Sequence, residues 1–250
     1  MAAFVVGLNG STGGGAGGPR DLLPDLQVGS LYGFELESAP GGRVRLRFGT
    51  VGWNVGEGPL EARGRRIDPT DLAMRVRQRI YDSAGGHRDR VTPSVMIYET
   101  GDHHDHWHTR QFMVVNMYRR GIPDRNVFGL RKIGYCLLDG ARMSPPPQGS
   151  PPTRQYPRAA CGFGDSQTVH SGLSIGWGDD YPPAYAHQWM DVTRLAAGVY
   201  RICTTIDPLK EFVELDESNN QRWTDVRLDL ATGEVEVLAT RIRPCGPTVP

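Results

Sequence analysis

The segment GDHHDHWHTRQF, residues 101–112, places four of the chain's seven histidines within six positions. Three of them, His104, His106 and His108, alternate strictly. Side chains on a strand alternate between its two faces, so these imidazoles share one face while Asp105 and Trp107 take the other. Neighbouring members stand ~6.7 Å apart at Cα, comfortable for two imidazoles on one metal; the outer pair, at ~13 Å, requires the strand to bend, twist or bulge. Three buried, unpaired imidazoles would be costly, so metal binding is the reading, set against an exposed strand whose histidines are idle. Imidazole suits copper, zinc, nickel or iron, and the cluster alone does not choose among them. His103 points away from the set, and Asp105 reads as structural rather than as a ligand.

Elements must hold these groups in place. Short runs of alternating apolar residues, separated by turn residues, recur along the chain: 43–55, where Val44, Leu46 and Phe48 face one way and arginines the other, then 72–82, 94–99, 112–118, 132–138, 199–207, 221–230 and 234–243. A turn at LATGEV joins the last two as a hairpin. No long 3.6-residue periodicity is present. The pattern predicts an all-β protein, an antiparallel β-sandwich whose long loops carry the site. Residues 1–22 include a Gly-rich stretch expected to be flexible, and residues 23–250 are expected to form one domain. The proline-rich stretch 143–158 is incompatible with a central strand and predicts a stiff surface loop.

Composition excludes several classes of function. The formal net charge is zero, so no basic field speaks for nucleic acid and no acidic tail for a charged partner. No apolar run approaches the ~20 residues of a membrane span. The start, MAAFVVGLNG, does not read as an intact signal peptide. Four widely spaced cysteines, Cys136, Cys161, Cys203 and Cys245, form no C-x-x-C pair. Two disulfides in an oxidising compartment are preferred over buried free thiols, implying a secreted or extracytoplasmic protein.

The HDHWH stretch resembles the copper-binding segment of the lysyl oxidase family, and further segments resemble the family in the same order. They are VRLRFGTVGWNVGEGPLE (44–61), RKIGYCLLD (131–139), SGLSIGWGDDYPPAYAHQWMDVTRLAAGVYRI (171–202) and ELDESNN (214–220). Together they cover roughly residues 43–229. The resemblance implies copper on His104, His106 and His108, and a lysine tyrosylquinone cofactor built from Lys132 and Tyr181. It implies oxidation of primary amines, free or in lysine side chains of peptides and proteins, to aldehydes, with O₂ consumed and H₂O₂ and ammonia released. Lys132 and Lys210 are the only lysines. Arginine carries a surface charge equally well but is not an equivalent nucleophilic amine, which favours a chemical role for Lys132. Asp179, two residues before Tyr181, is the first candidate for the base that removes the substrate's α-proton; Asp180, His170 and His187 are fallbacks. Asp191 reads as structural. Cys136 and Cys161 flank the proline-rich stretch and are expected to pin its ends, with Cys203 and Cys245 tying the last strands. That stretch lengthens the span between Lys132 and Tyr181, so the two meet only if it is a surface excursion.

Three other readings compete. A zinc hydrolase or lyase needs only the histidines and a water, but leaves the Lys132 and Tyr181 motifs unexplained. A non-enzymatic extracellular adhesion module explains the strands but not HDHWH. An inactive family member would bind metal without forming the quinone.

Overall fold

Residues Met74 to Ile80 alternate apolar or amide side chains turned inward with arginines turned outward, the period-two pattern of a strand buried on one face. The computed structural model describes residues 18–100, 105–120 and 126–245, the stretch 126–133 by its backbone. The expected flexible terminus lies outside the described residues up to position 17. In chain order the first eight strands are β1 (Asp21–Leu22), β2 (Leu26–Val28), β3 (Tyr32–Ala39), β4 (Arg43–Asn54), β5 (Leu60–Arg65), β6 (Ala73–Asp82), β7 (His87–Glu99) and β8 (His106–Arg119). They are followed by β9 (Asn126–Tyr135), β10 (Ala141–Arg142), β11 (Thr168–Leu173), β12 (Trp177–Tyr181), β13 (Trp189–Asp191), β14 (Gly198–Ile206), β15 (Gln221–Asp229) and β16 (Glu234–Ile242).

Two antiparallel sheets result, as expected for an all-β fold. The larger has ten strands in the order β11-β5-β6-β7-β8-β14-β15-β16, with β1 on β6 and β9 on β8. The smaller is built around the long β4, in the order β10-β12-β4-β13, with β2 and β3 also pairing β4. Buried residues from both sheets meet in two clusters. One joins Leu26, Val28 and Tyr181 of the small sheet to Leu60, Met74, Met96, Trp107, Phe112 and Tyr135 of the large one. The other joins Leu46, Phe48 and Met190 to Val115, Met117, Tyr200, Ile202 and Val226. Each fully buried aliphatic or aromatic side chain contributes about 1.5–3 kcal/mol by leaving water.

Polar clasps fix the connections. The Asn54 carboxamide donates to the carbonyls of Gly58 and Leu173 and accepts from the amides of Asp25 and Gly56, so the N-x-G turn satisfies all it buries. Buried Asp139 accepts from the amides of Gln155, Tyr156 and Ser174 and from the Ser174 hydroxyl. The latter clasp closes the proline-rich stretch, which is a loop with mostly exposed or half-buried residues. Disulfides join Cys136 to Cys161 and Cys203 to Cys245, the pairing expected from their positions. Thus the loop is an excursion with pinned ends, and the strands after it return in register.

Candidate metal and cofactor site

β8 begins with the histidines. His106 and His108 share one face, as alternation requires, and His108 is 6% exposed. Their Nε2 atoms lie 2.9 Å apart and their rings stand edge-on, with centroids separated by 4.5 Å. Two ring nitrogens at that separation can share one first-row metal at bonds of about 2.0–2.1 Å, and a nitrogen-donor pair of this kind suits copper. His104 and His103 lie outside the described residues. The sulfurs of Cys136 and Cys161 come within 4.8 Å of a His106 ring nitrogen. They are bonded to each other, so they offer no thiolate to a metal and instead form a rigid wall beside His106.

The distortion that the histidine spacing calls for would fall between His104 and His108, a stretch that begins outside the described residues; a separate bulge lies further along β8. Gln111 has a φ of 54°, and register against β9 shifts between Arg110 and Met113. Consecutive Phe112 and Met113 are both buried in consequence. Beyond the bulge, Met113 stands opposite Lys132, and Thr109, before it, stands opposite Tyr135. Gly134 faces His108: a Cβ there would lie 2.7 Å from the His108 Cβ, so glycine permits the close approach of β9 to the imidazoles.

Tyr181 ends β12, opposite Thr50 of β4. Its hydroxyl accepts the Cys136 amide N–H at 3.3 Å, and its ring lies 4.2 Å from that of Tyr135, centroid to centroid. Burial pushes the Tyr181 phenol well above its usual pKa, and the Asp179 charge adds to this. Asp179, two residues earlier on the same face, is 2% exposed. Asp180 accepts the Tyr32 hydroxyl at 2.5 Å; burial and then this bond to a carboxylate raise the Tyr32 pKa. Gly49 makes that reach possible, since a Cβ there would lie 2.3 Å from the Tyr32 ring. A cleft of about 730 Å³ is lined by His106, Arg158, Asp179, Asp180, Tyr181 and Tyr185, among others. One imidazole, the tyrosine and both aspartates therefore meet in one space.

A model of the lysyl oxidase family matches residues 98–237, more than half of the chain. The chain belongs to the lysyl oxidase family. Membership implies an oxidoreductase of the copper amine oxidase kind, acting on amines or lysine. No curated protein matches the chain. The matched stretch contains every lysyl oxidase site residue named from the sequence, including Lys132, whose backbone lies in β9. One fallback base separates from the site: His170 lies on β11 opposite Arg63, at the surface of the large sheet. His187 is exposed between β12 and β13, next to Ala186 of the cleft lining. Asp191 accepts the Thr193 amide and hydroxyl, a turn-forming pair. Tyr32 and Tyr135 were not singled out by sequence. The only signal for Tyr135 is its position inside the family's Lys-x-x-[FY]-C-L segment, and Tyr32 has none. The two disulfides fit an extracellular setting, and no helix among the described residues is long and apolar enough to cross a membrane.

Proposed function

We propose that this chain is a copper-dependent quinone amine oxidase that deaminates primary amines to aldehydes with release of H₂O₂ and ammonia. The reading rests on the convergence of Tyr181 and His106, itself paired with His108, on one cleft. Copper would be held by His106 and His108 together with His104. The quinone, made from Tyr181 and Lys132, would supply an electrophilic carbonyl, and copper with O₂ the oxidising chemistry.

The remaining roles fall to the chain itself. Burial of Tyr181 among Tyr135, Tyr185 and the Cys136 amide fixes its ring and excludes water from one face. Asp179, buried beside it, would hold the proton taken from the substrate carbon. The Cys136–Cys161 disulfide ties the end of β9 to the wall of the cleft, limiting the freedom of the strand that carries Lys132. The Asp180–Tyr32 pair anchors β12 to β3 at the same end of the cleft.

Peptide mapping of copper-loaded, aerated protein tests the reading. One crosslinked species containing Lys132 and Tyr181, with a visible chromophore that phenylhydrazine derivatises, is expected. Separate, unmodified Lys132 and Tyr181 peptides would overturn it, and would leave a metal-binding family member without the quinone.

A further inference from the structure

The outward face of β11, β5, β6 and β7 carries charge that the cleft does not use. Pairing of β5 with β6 sets Arg63 directly opposite Arg77 and Arg65 directly opposite Arg75. Like charges directly opposed across strands destabilise a sheet. Among the described residues, only Arg63 of these four has a carboxylate within ion-pair distance, Glu61 at 2.8 Å. Glu61 is already shared with the hydroxyls of Tyr81 and Tyr156. Arg79, next along β6, is paired with Asp89 at 2.7 Å. Arg65, Arg75 and Arg77 are exposed, and His170 stands beside Arg63 on β11. The pKa of His170 is lowered, by burial first and by the Arg63 charge next, consistent with a positive local field. The whole chain carries no net charge, so the excess on this face is local and balanced elsewhere.

We propose that this arginine face docks an anionic polysaccharide, whose carboxylate or sulfate groups bridge the opposed guanidiniums. A planar guanidinium binds such groups through two parallel N–H donors. The arginine backbone positions repeat at ~6.7 Å along β6 and ~5 Å across to β5, a spacing that an extended chain of charged sugars can follow. The cross-strand repulsion stored in the free protein is relieved when an anion sits between each pair. Nucleic acid fits less well, because the chain as a whole carries no net positive charge to draw a polyphosphate, the face offers valines (Val91, Val95) and Thr168 between and beside the arginines, and the Tyr81 ring on it is engaged with Glu61 and His87. An anionic bilayer also fits less well: the adjoining β5–β6 turn exposes Ile67 and Leu72 but carries Asp68 and Asp71, which such a surface repels. The disulfides place the chain where extracellular polysaccharides occur. This inference does not depend on amine oxidation.

The test measures binding of heparin and of polygalacturonate across a range of salt. The full chain is compared with Arg65→Ser/Arg75→Ser/Arg77→Ser, with single Arg75→Gln, and with Arg241→Ser/Arg243→Ser at the far edge of the sheet. Wild type is expected to bind at least one polysaccharide with steep salt dependence. The triple variant should bind at least about tenfold more weakly, with a log–log salt slope smaller by roughly one per arginine removed, and Arg75→Gln with a slope smaller by about one. The far-edge variant should match wild type. Melting temperature should stay level or rise in both face variants, since opposed charges are removed. Unchanged binding by the face variants, no binding of either polysaccharide at low salt, or tighter binding of duplex DNA or phosphatidylserine vesicles would each overturn the proposal. So would a clear drop in the melting temperature of Arg75→Gln, which would assign the arginines to holding the sheet.

Discussion

The two ends of the sandwich are built from the same strands and differ in kind. β8 contributes Trp107, Phe112 and Met113 to one cluster and Val115 and Met117 to the other. At the first end the apolar residues are interleaved with buried polar groups: His108, Asp179, Thr50 and the hydroxyls of Tyr135 and Tyr181. At the second end the cluster is mainly aliphatic, and Tyr200 sends its hydroxyl to the Ala196 carbonyl. The first end places reactive groups in low dielectric, where each must be hydrogen-bonded or bound to an ion. The second end has no such demand and serves stability. One strand thus changes role along its length, and the change falls between Met113 and Val115, past the bulge at Gln111.

The largest expected effects come from groups at the first end. Lys132→Arg keeps the charge and removes the nucleophilic amine; Tyr181→Phe removes the phenol. Each should abolish amine-dependent H₂O₂ release while thermal melting stays close to wild type. Single His106→Ala and His108→Ala should lose most bound copper by metal analysis, whereas His103→Ala should not. At the second end, Ile202→Ala should do the reverse, because Ile202 is fully buried. A cost of about 2–5 kcal/mol is expected in urea unfolding, with copper content and turnover per folded molecule unchanged. Loss of copper in Ile202→Ala, or unfolding of Tyr181→Phe, would break the division between the ends.

The sequence discloses these two ends unequally. The second end is legible because β4, β14 and β15 alternate apolar and polar residues, and burial of one face enforces period two. The imidazole pair is legible for the same reason. β12 is not: WGDDY has a glycine and two acids, poor strand formers, and it becomes a strand because β4 offers a partner in register, with Asp179 opposite Gly52. Tyr181 was therefore assigned by resemblance to a family, and nothing local to it predicted that its ring would lie against Tyr135. The strands β2, β3, β5 and β13 were missed for the same reason, since pairing with the longer β4 or β6 stabilises them more than their own pattern does, and β11 in turn forms on β5. The start of β7 was missed because His87 to Arg90 are polar and the strand continues there only through pairing with β6. The bulge at Gln111 lies beyond the histidines and is not called for by their spacing; it depends on pairing with β9, a contact made across the fold.

The disulfides sharpen the comparison with a smaller effect. Cys136–Cys161 closes a sequence separation of 25 and Cys203–Cys245 one of 42. Loop entropy gives each about 2–4 kcal/mol and separates them by only about 0.5 kcal/mol. Paired Cys→Ser variants should therefore melt alike. They should differ in function, because the first disulfide borders His106 and the Cys136 amide holds Tyr181. Weaker copper retention in a competition assay is expected for Cys136→Ser/Cys161→Ser and not for Cys203→Ser/Cys245→Ser. Equal retention would mean that the disulfide wall is not needed to hold the imidazoles.

The last expected effect is a pH dependence, and it too belongs to the first end. The turn after β14 carries two buried carboxyls beside Ile206 and Phe212 of the first cluster. Asp207 accepts the amides of Phe212 and Glu211, and Glu214 accepts the Leu26 amide and the Asn220 carboxamide. Burial outweighs these bonds and pushes Asp207 from 3.8 up to about 6 and Glu214 from 4.5 up to about 8. Over those intervals the folded chain binds protons that the unfolded chain has released, so unfolding free energy falls as pH rises. The contribution is fully present below the unfolded values of 3.8 and 4.5, and is lost as pH rises through about 6 for Asp207 and about 8 for Glu214. Urea unfolding of metal-free protein should show this decline. Glu214→Gln keeps an acceptor for the Leu26 amide but has no proton to lose, so the decline between about 6 and about 8 should flatten. The part due to Asp207 should largely remain, because burial is its main cause and the Asp207 charge acts on Glu214 only after burial, the hydrogen bonds and Glu217. An undiminished decline in Glu214→Gln would place the titrating group elsewhere and remove the turn from the polar end.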